Sequence, residues 1–227
     1  MILDALSPES LPSSLKQAAE IILRGGIVAI PTETVYGLAA NALNPDAVRK
    51  IFEAKGRPFI DPLIAHVLNF GLLEEIAEAN FSAKKLAEAF CPGPITFVLP
   101  KKPCVPDIVS AGRPTVAVRM PSHPVMRAFM EEVKVPLSAP SANPFGYVSP
   151  TTAEHVESQL GRKIDAVIDG GPCACGVEST IVMLADESRP MLLRPGPIPR
   201  EDIEKVLGKK LIDPKDKNPA HPTAPGI

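Results

Sequence analysis

SLKQAAEIILRGGIVAIPTETVYGLA, residues 14–39, contains the pattern that decides the fold class. Apolar residues recur at helical spacing over 14–24, and a Gly-Gly pair then ends the helix. The apolar run at 27–31 predicts a buried strand, which continues directly into the polar residues of PTETVYGLA (31–39). A helix, a sharp stop and a buried strand that ends in polar residues are typical of α/β proteins.

Helical and strand patterns alternate along the rest of the chain, but some predicted strands follow one another directly. This order favours an α/β fold with a twisted, open mixed sheet and helices on its faces over a purely parallel sheet. Capping side chains mark two helix starts, Asn44 before a proline and Thr151, which forms a capping box with Glu154. The predicted helices are 14–24, 44–54, two short ones within 70–90, one that begins at His123-Pro124, 151–160 and 199–208. The predicted strands are 27–31, 62–67, 95–100, 115–120, 135–143, 165–169, 179–184 and 190–195.

The composition is that of an ordinary globular protein. With 227 residues, 45% of them hydrophobic and 22% charged, the chain can bury the core of one domain. No apolar run approaches the roughly 18 residues of a membrane span, and the N-terminus lacks a signal-peptide pattern, so we expect a cytoplasmic protein without a membrane partner. We assign 1–212 to one domain and interpret 213–227, polar and rich in proline, as a tail or the start of an interdomain linker.

Charge, aromatic content and cysteine spacing limit the kinds of partner. A net charge of −2 means that any binding of nucleotide or RNA depends on a local cluster of Lys and Arg. Aromatic residues make up 4% of the chain, which argues against a base-stacking platform for single-stranded RNA. The cysteines and histidines lack zinc spacing, so we expect no metal site in the protein. Cys173 and Cys175 are either two small residues in a glycine-rich loop or a redox or adventitious metal element.

Two segments place polar residues where α/β proteins bind ligands. PTETVYGLA offers small donors and acceptors after a strand, although a capped turn explains it equally well. In KGRPFIDPLIAH (55–66), Lys55 and Arg57 are predicted to point the same way, because the proline after Arg57 favours extended backbone. Such a pair suits a di- or triphosphate, and two solvated surface cations are the alternative. His66, taken alone, is more typical of a satisfied core or rim histidine.

Three further segments add cations and hydroxyl groups. On the strand TVAVRM (115–120), Arg119 shares a face with Thr115, which indicates either a carboxylate-binding arginine or a structural ion pair. The stiff segment 136–150 carries small polar side chains among prolines, as a phosphate or ribose site requires, or forms a simple turn. Arg194 adds a cation at the end of the last strand. The residues alone favour an α/β protein with one electropositive cleft for a phosphorylated ligand, and they do not choose that ligand.

Seven ordered segments between about residues 14 and 208 resemble the YrdC family. They are PTETVYGLA, KGRPFIDPLIAH, CPGPITFVLP, TVAVRMP, SAPSANPFGYVSPT, GVESTIV and LRPGPI. The resemblance implies a catalytic domain over 1–212 with a concave, positively charged face. It also implies synthesis of threonylcarbamoyl-AMP and pyrophosphate from L-threonine, bicarbonate and ATP, with Mg²⁺ arriving on ATP and no organic cofactor. A partner enzyme would transfer the threonylcarbamoyl group to tRNA, and some weak tRNA binding is compatible with this activity.

The resemblance also implies roles for individual residues. Those that match the family's catalytic Lys/Arg/Ser/Asn signature are Lys55, Arg57, Ser141 and Asn143. Those that it places around ATP are Arg57, Asp61, Thr115, Ser141, Ser149 and Arg194. Those that it places around threonine are Thr34, His66, Arg119, Ser179 and the backbone near Ala139. In this assignment Arg119 holds the amino-acid carboxylate, and Lys55 with Arg57 holds phosphates.

Two departures from the family pattern accompany the resemblance. Asp61 stands where the family commonly has Asn, and a carboxylate there repels phosphates unless it contacts the ribose, the base or a metal ion. The 213–227 tail resembles the start of the linker in two-domain relatives, so we expect a domain-only version of such a protein. Two other functions remain alternatives. One is a carbamoyl-adenylate-forming relative of the hydrogenase-maturation type, whose zinc-finger segments are not among these residues, and the other is an RNA-binding protein without catalysis.

Overall fold

The computed structural model of the chain describes residues 1–214, so most of the predicted tail, 215–227, lies outside the described residues. Within 1–214 the chain forms ten strands in one sheet and eight α-helices, none of which is long and apolar enough to cross a membrane. The strands are β1 (Ile2–Asp4), β2 (Val28–Ile30), β3 (Gly37–Asn41), β4 (Ile64–His66), β5 (Ile95–Pro100), β6 (Thr115–Arg119), β7 (Leu137–Ser138), β8 (Ala166–Asp169), β9 (Thr180–Met183) and β10 (Met191–Arg194). The helices are α1 (Leu11–Leu23), α2 (Pro45–Lys55), α3 (Phe70–Ile76), α4 (Phe81–Phe90), α5 (Asp107–Ser110), α6 (Pro124–Val133), α7 (Ala153–Leu160) and α8 (Arg200–Leu207).

The sheet is mixed and open, with the strand order β1-β8-β2-β3-β7-β4-β6-β5-β9-β10. The pairs β1–β8, β2–β8, β4–β6 and β5–β9 are parallel, whereas β2–β3, β3–β7, β4–β7, β5–β6 and β9–β10 are antiparallel. The predicted fold class, an open mixed α/β sheet with helices on its faces, is therefore confirmed.

The two faces of the sheet bury different hydrophobic clusters. Along β5, Phe97 and Leu99 belong to a large cluster on one face, whereas Val98 belongs to a small cluster on the other. Successive side chains of a strand point to opposite faces, so this division follows from the apolar run that predicted the strand. The large cluster also contains residues of α2, α3, α4, α5, α7 and α8, which cover that face.

The opposite face is covered unevenly. Helices α1 and α6 contact each other and pack on the half of the sheet that contains β2 and β8, with Ile22 and Phe129 in the cluster beneath them. On the other half, the small cluster consists of strand residues, namely Ile64, Val98, Ala117, Ile181 and Leu193. Because no helix of residues 1–214 packs on this half of the face, there is room beside the strand ends, and the candidate site lies there.

One predicted helix cap is confirmed and one is shifted. The Asn44 side chain accepts hydrogen bonds from the backbone N–H groups of Asp46 and Ala47, at 3.1 and 3.2 Å, and α2 follows it. The predicted capping box of Thr151 is wrong by one residue, because Thr152 is the cap and accepts from the N–H of His155 at 3.3 Å. Either threonine has the required hydroxyl, so the sequence pattern could not choose between them.

The sequence patterns missed three short elements. β1, β3 and α5 were not predicted. In 135–143, which was predicted as a strand that passes into a loop, the strand is β7. β3 has the sequence GLAAN, and glycine, alanine and asparagine are poor strand formers. Its strand conformation comes from antiparallel pairing with β2 and β7 on either side, which single-residue preferences do not contain.

The cap of α2 should contribute measurably to stability. Asn44→Ala removes the acceptor of two backbone N–H groups, so we expect the free energy of unfolding to fall by about 1 kcal/mol in urea titrations followed by circular dichroism. The control Asn44→Asp keeps an acceptor and places a negative charge at the positive end of the helix, so it should retain the wild-type value. An unchanged urea midpoint for the alanine variant would contradict this assignment.

Candidate functional site

A small cavity opens where β4 and β6 end, on the half of the sheet face that no helix of residues 1–214 covers. His66 ends β4 and Arg119 ends β6, and the two residues are direct neighbours in the parallel register. The enclosed volume is about 90 Å³. Ligand pockets usually exceed roughly 300 Å³, so the enclosed part suits a small polar molecule and a nucleotide must extend beyond it. The lining residues are Thr34, Val35, Arg57, Ile64, His66, Arg119, Ala139, Pro140, Ser141, Glu178, Ser179 and Arg194.

A larger groove of about 340 Å³ lies between α3, α4 and α6, and its walls include Leu68, Phe70 and Met120. We place the functional site in the smaller cavity because buried charged and titratable side chains converge there. Such side chains are costly to bury and mark binding sites more reliably than volume does.

Arg119 is buried and held by two residues of the segment that follows β2. Its Nη2 lies 2.7 Å from a carboxylate oxygen of Glu33, and its Nη1 donates to Thr34 Oγ1 at 2.9 Å. The Thr34 hydroxyl also lies 2.9 Å from the Thr32 hydroxyl. The structural ion pair left open by the sequence is therefore present. The buried Nε of Arg119 has no hydrogen-bond acceptor among the described residues, and other atoms of Arg119 line the cavity.

Arg57 is fixed by the segment between α2 and β4. Its Nη2 forms a 2.8 Å ion pair with the Asp61 carboxylate and donates to the Pro62 carbonyl at 2.8 Å. Burial lowers the pKa of Arg57, and the neighbouring Asp61 charge acts in the opposite direction. The carboxylate that departs from the family pattern thus contacts a cation of the site.

Arg194 closes another side of the cavity from the end of β10. Its Nε donates to the Ser179 carbonyl at 3.1 Å, and its Nη2 donates to the Ser179 hydroxyl at 3.2 Å. That hydroxyl lies 2.7 Å from Thr96 Oγ1. Burial lowers the pKa of Arg194 to about 10, and the charge of Glu178 acts in the opposite direction. Glu178 in turn accepts a 2.7 Å hydrogen bond from Ser149.

His66 presents a buried ring to the cavity. It is 2% exposed, and neither ring nitrogen has a hydrogen-bond partner among residues 1–214. Burial first, and the Arg119 charge second, lower the pKa of His66 to about 3, so the ring is neutral at neutral pH. The backbone of Ile64 and Leu137 raises this pKa in part, although neither carbonyl meets the geometry of a hydrogen bond. A neutral ring has one donor nitrogen and one acceptor nitrogen, so it can both donate a hydrogen bond to a ligand and accept one from it.

Lys55 differs from its predicted placement. Its Nζ donates to the backbone carbonyls of Ser141 and Asn143, both at 2.5 Å, and it is not in the cavity lining. Lys55 is the last residue of α2, and Gly56 after it is left-handed with φ of 63°, so the alternation of an extended chain does not apply. The extended backbone that was predicted for Lys55 and Arg57 is therefore wrong, although the charges of the two side chains still interact. Lys55 holds the segment that presents Ser141, and burial lowers the pKa of Lys55 to about 7.

The structure brings most of the predicted site residues together. Asn143 lies behind the lining, where its Nδ2 donates to the carbonyls of Pro144 and Tyr147 at 2.9 and 2.8 Å. The predicted residues that line the cavity are Thr34, Arg57, His66, Arg119, Ala139, Ser141, Ser179 and Arg194. The predicted residues outside the lining are Lys55, Asp61, Thr115, Asn143 and Ser149.

Sequence reasoning did not predict how the acidic residues of the site pair with its arginines. Glu33, Asp61 and Glu178 accompany Arg119, Arg57 and Arg194, so the formal charges of three carboxylates and three arginines sum to zero. The resemblance placed Asp61 at the ATP site, Glu33 was among the donors and acceptors of PTETVYGLA, and Glu178 within GVESTIV was not singled out. The electropositive character of the cleft stays a prediction.

The described residues do not assemble a metal site. Among residues 1–214, no group of three or more His, Cys, Asp or Glu side chains could hold a metal ion. Cys173 and Cys175 are both unpaired thiols in the loop before β9. Burial raises the pKa of Cys173 to about 11, so this thiol is protonated at neutral pH.

Comparison with known proteins supplies the evolutionary context of this site. Residues 20–196 match the model of the Sua5/YciO/YrdC family, whose description is telomere recombination. The chain is 51% identical over 201 residues, 88% of its length, to the threonylcarbamoyl-AMP synthase of Pyrococcus abyssi. It is 48% identical over 217 residues, 94% of its length, to the threonylcarbamoyl-AMP synthase of Bacillus subtilis.

A solved structure agrees with this match. The crystal structure of P. abyssi Sua5 complexed with L-threonine is 47% identical, with a TM-score of 0.94, and the comparison covers 100% of this chain and 67% of that one. The chain spans 59% and 62% of the lengths of the P. abyssi and B. subtilis synthases. With the family model matched over most of its residues, this chain belongs to the Sua5/YciO/YrdC family.

Proposed function

We propose that the chain is an L-threonylcarbamoyladenylate synthase, which converts L-threonine, bicarbonate and ATP into threonylcarbamoyl-AMP, pyrophosphate and water. The observation that carries the proposal is the pair of His66 and Arg119, which are neighbours on adjacent strands. Both have buried nitrogen atoms without a hydrogen-bond partner among residues 1–214. The relatives named threonylcarbamoyl-AMP synthase and the L-threonine complex of P. abyssi Sua5 support it.

The enclosed end of the cavity would hold threonine. The guanidinium of Arg119 would bind the amino-acid carboxylate through the N–H groups that Glu33 and Thr34 leave available. A hydroxyl group both donates and accepts, which matches the one donor and one acceptor of the neutral His66 ring. The hydroxyl groups of Thr34 and Ser179 and the backbone near Ala139 complete this end.

The open end would hold ATP, with Mg²⁺ entering on the phosphate oxygens as part of the substrate. Arg57 and Arg194 line the cavity on this side and would bind phosphates, beside the Ser141 hydroxyl. Ser149 contacts Glu178 of the cavity lining and would lie beside the phosphates, and Thr115 stays a predicted contact of ATP. Asp61 would keep Arg57 oriented toward the ligand.

The chemistry is a nucleotidyl transfer that needs positioning more than acid–base catalysis. The threonine amine attacks CO₂ derived from bicarbonate, which forms a carbamate and releases a proton. A carbamate oxygen then attacks the α-phosphorus of ATP, the bond to the β-phosphate bridging oxygen breaks, and pyrophosphate leaves. Arg57 and Arg194 would stabilise the charge that builds on the phosphates. The carbamate is already anionic, so this second step requires no base.

The product is a mixed anhydride, so a following enzyme must consume it by acyl transfer. We propose that the acceptor is tRNA, bound by a separate transferase, and that any contact of this chain with tRNA is weak.

Pyrophosphate release tests the proposed function directly. With Mg²⁺ and ATP present, we expect release that requires both threonine and bicarbonate, and omission of either should reduce it to background. Release without threonine, or none from folded protein that binds threonine, would contradict the proposal. Salt-sensitive RNA binding without release would favour the RNA-binding alternative.

The two ends of the cavity should respond to different substitutions. Arg119→Ala should raise the threonine concentration for half-maximal rate at least tenfold, because a buried charged hydrogen bond is lost. Arg57→Ala should lower the ATP-dependent rate by about two orders of magnitude or more, with circular dichroism unchanged. Arg24→Ala on the exposed end of α1 is the control and should leave both constants as in wild type. Wild-type kinetics in both site variants would show that the site is misassigned.

The neutral state of His66 predicts a pH dependence of stability. The folded protein keeps the ring neutral down to a pKa of about 3, whereas the unfolded chain protonates it below about pH 6.5. The unfolded state therefore binds more protons in this range, and stability falls as the pH falls. This single group should remove about 2 kcal/mol from the free energy of unfolding at pH 5. Denaturant titrations at pH 7 and pH 5 should show a smaller loss for His66→Gln than for wild type or for the exposed-site control His155→Gln.

A further inference from the structure

Glu33 lies directly behind the cavity without lining it. It is 9% exposed, and one carboxylate oxygen forms the 2.7 Å ion pair with Nη2 of Arg119, which is 4% exposed. A charge that is buried this deeply is strongly destabilising unless a partner of opposite charge lies within contact distance. The side chain of Glu33 therefore fixes one side of the guanidinium that faces the cavity.

Glu33 also connects three segments that each contribute to the site. Its second carboxylate oxygen accepts a 3.1 Å hydrogen bond from the backbone N–H of Ser122, three residues after Arg119. Its own backbone carbonyl accepts from the N–H of Cys175 at 2.8 Å, and the next carbonyl, that of Thr34, accepts from Gly176 at 3.0 Å. The segment 173–176 leads to Ser179 in the cavity lining. One residue thus links the ends of β2 and β6 with the segment before β9.

The geometry points to Glu33 as the residue that positions Arg119 for the carboxylate of the amino-acid substrate, and so sets the affinity for that substrate. This inference rests on the proposed function, to which it adds a residue that does not touch the substrate. Both carboxylate oxygens face donors of the protein, so Glu33 is not a proton acceptor in the reaction. Its contribution is to hold the guanidinium in one orientation, which lowers the cost of ordering it when the carboxylate binds.

A purely structural ion pair would behave differently from a positioning residue. If Glu33 only stabilised the fold, its loss would lower stability and leave substrate constants unchanged in the fraction that remains folded. If Glu33 positions Arg119, its loss raises the half-saturating concentration of threonine (the threonine constant). The half-saturating concentration of ATP (the ATP constant) stays near wild type, because the Arg57 and Arg194 contacts are made by other segments. The difference between the two substrate constants therefore separates the two roles.

The test measures threonine binding by calorimetry, and the half-saturating concentrations of threonine and ATP by pyrophosphate release. In Glu33→Gln, which keeps the shape and removes the charge, we expect the threonine dissociation constant to rise on the order of tenfold or more. The ATP constant should stay within about twofold of wild type. Glu33→Asp keeps the charge but shortens the side chain, so its carboxylate lies farther from Arg119. It should also raise the threonine dissociation constant, and it replaces Glu33→Gln in the test if the glutamine variant does not fold.

A double-mutant cycle with Arg119→Lys tests whether Glu33 acts through the arginine. Once Arg119 is replaced, Glu33→Gln should add little further loss of threonine affinity, so the two effects should be strongly non-additive. The matched control is Glu204→Gln on α8, which removes a carboxylate paired with Lys210 far from the cavity and should change neither constant.

The possible failures are distinguishable. If wild-type protein neither binds threonine nor releases pyrophosphate, the proposed function falls and this inference falls with it. If wild type does both, and folded Glu33→Gln and Glu33→Asp keep its threonine constant, only the inference is overturned. Equal increases in the threonine and ATP constants, or additive effects in the cycle, would also overturn it, since they indicate general damage to the site.

Discussion

The burial of Arg119 and the partial burial of Arg57 and Arg194 are the constraint on which the rest of the site depends. A guanidinium removed from water is strongly destabilising unless carboxylates and carbonyls surround it. Arg119 finds them in Glu33 and Thr34, and Arg57 finds them in Asp61 and Pro62. The segments that flank the sheet must therefore come together in one arrangement. The contacts that offset the cost of burying the arginines also fix the orientation of each guanidinium.

The parts of the fold that were predictable from the sequence are those with strong local patterns. The β-branched and apolar residues of β5 and β6 favour buried strands at that length, and the asparagine before α2 has the chemistry of a cap. β3 lacks such a signal, because its small residues become a strand only between two partners. Lys55 was misplaced for a related reason: one left-handed glycine after it changed the direction of the chain, and no periodicity contains that information.

The site was predictable to the extent that a cation or hydroxyl at a strand end is unusual. The alternation along β6 placed Arg119 on a different face from the core valines, and the structure agrees. The partners of Arg119 could not be predicted from the sequence. Thr34 lies 85 residues away in the chain, and the neighbouring Glu33 is not part of a recognisable pattern. The choice between an ion pair and a substrate-binding arginine was also not an exclusive one, since the guanidinium has enough N–H groups for both.

The register of β4 and β6 has a consequence for which amino acids can fit. His66 and Arg119 are opposite each other in a parallel ladder, and Thr96 continues the row on β5. Adjacent strands in a sheet are held about 4.8 Å apart by their backbone hydrogen bonds, whatever side chains they carry. The sheet therefore fixes the backbone spacing between the residue that would hold a carboxylate and the residue that would hold a side-chain hydroxyl. A substitution at either residue changes the chemistry of that side chain, but the spacing between the two strands stays the same.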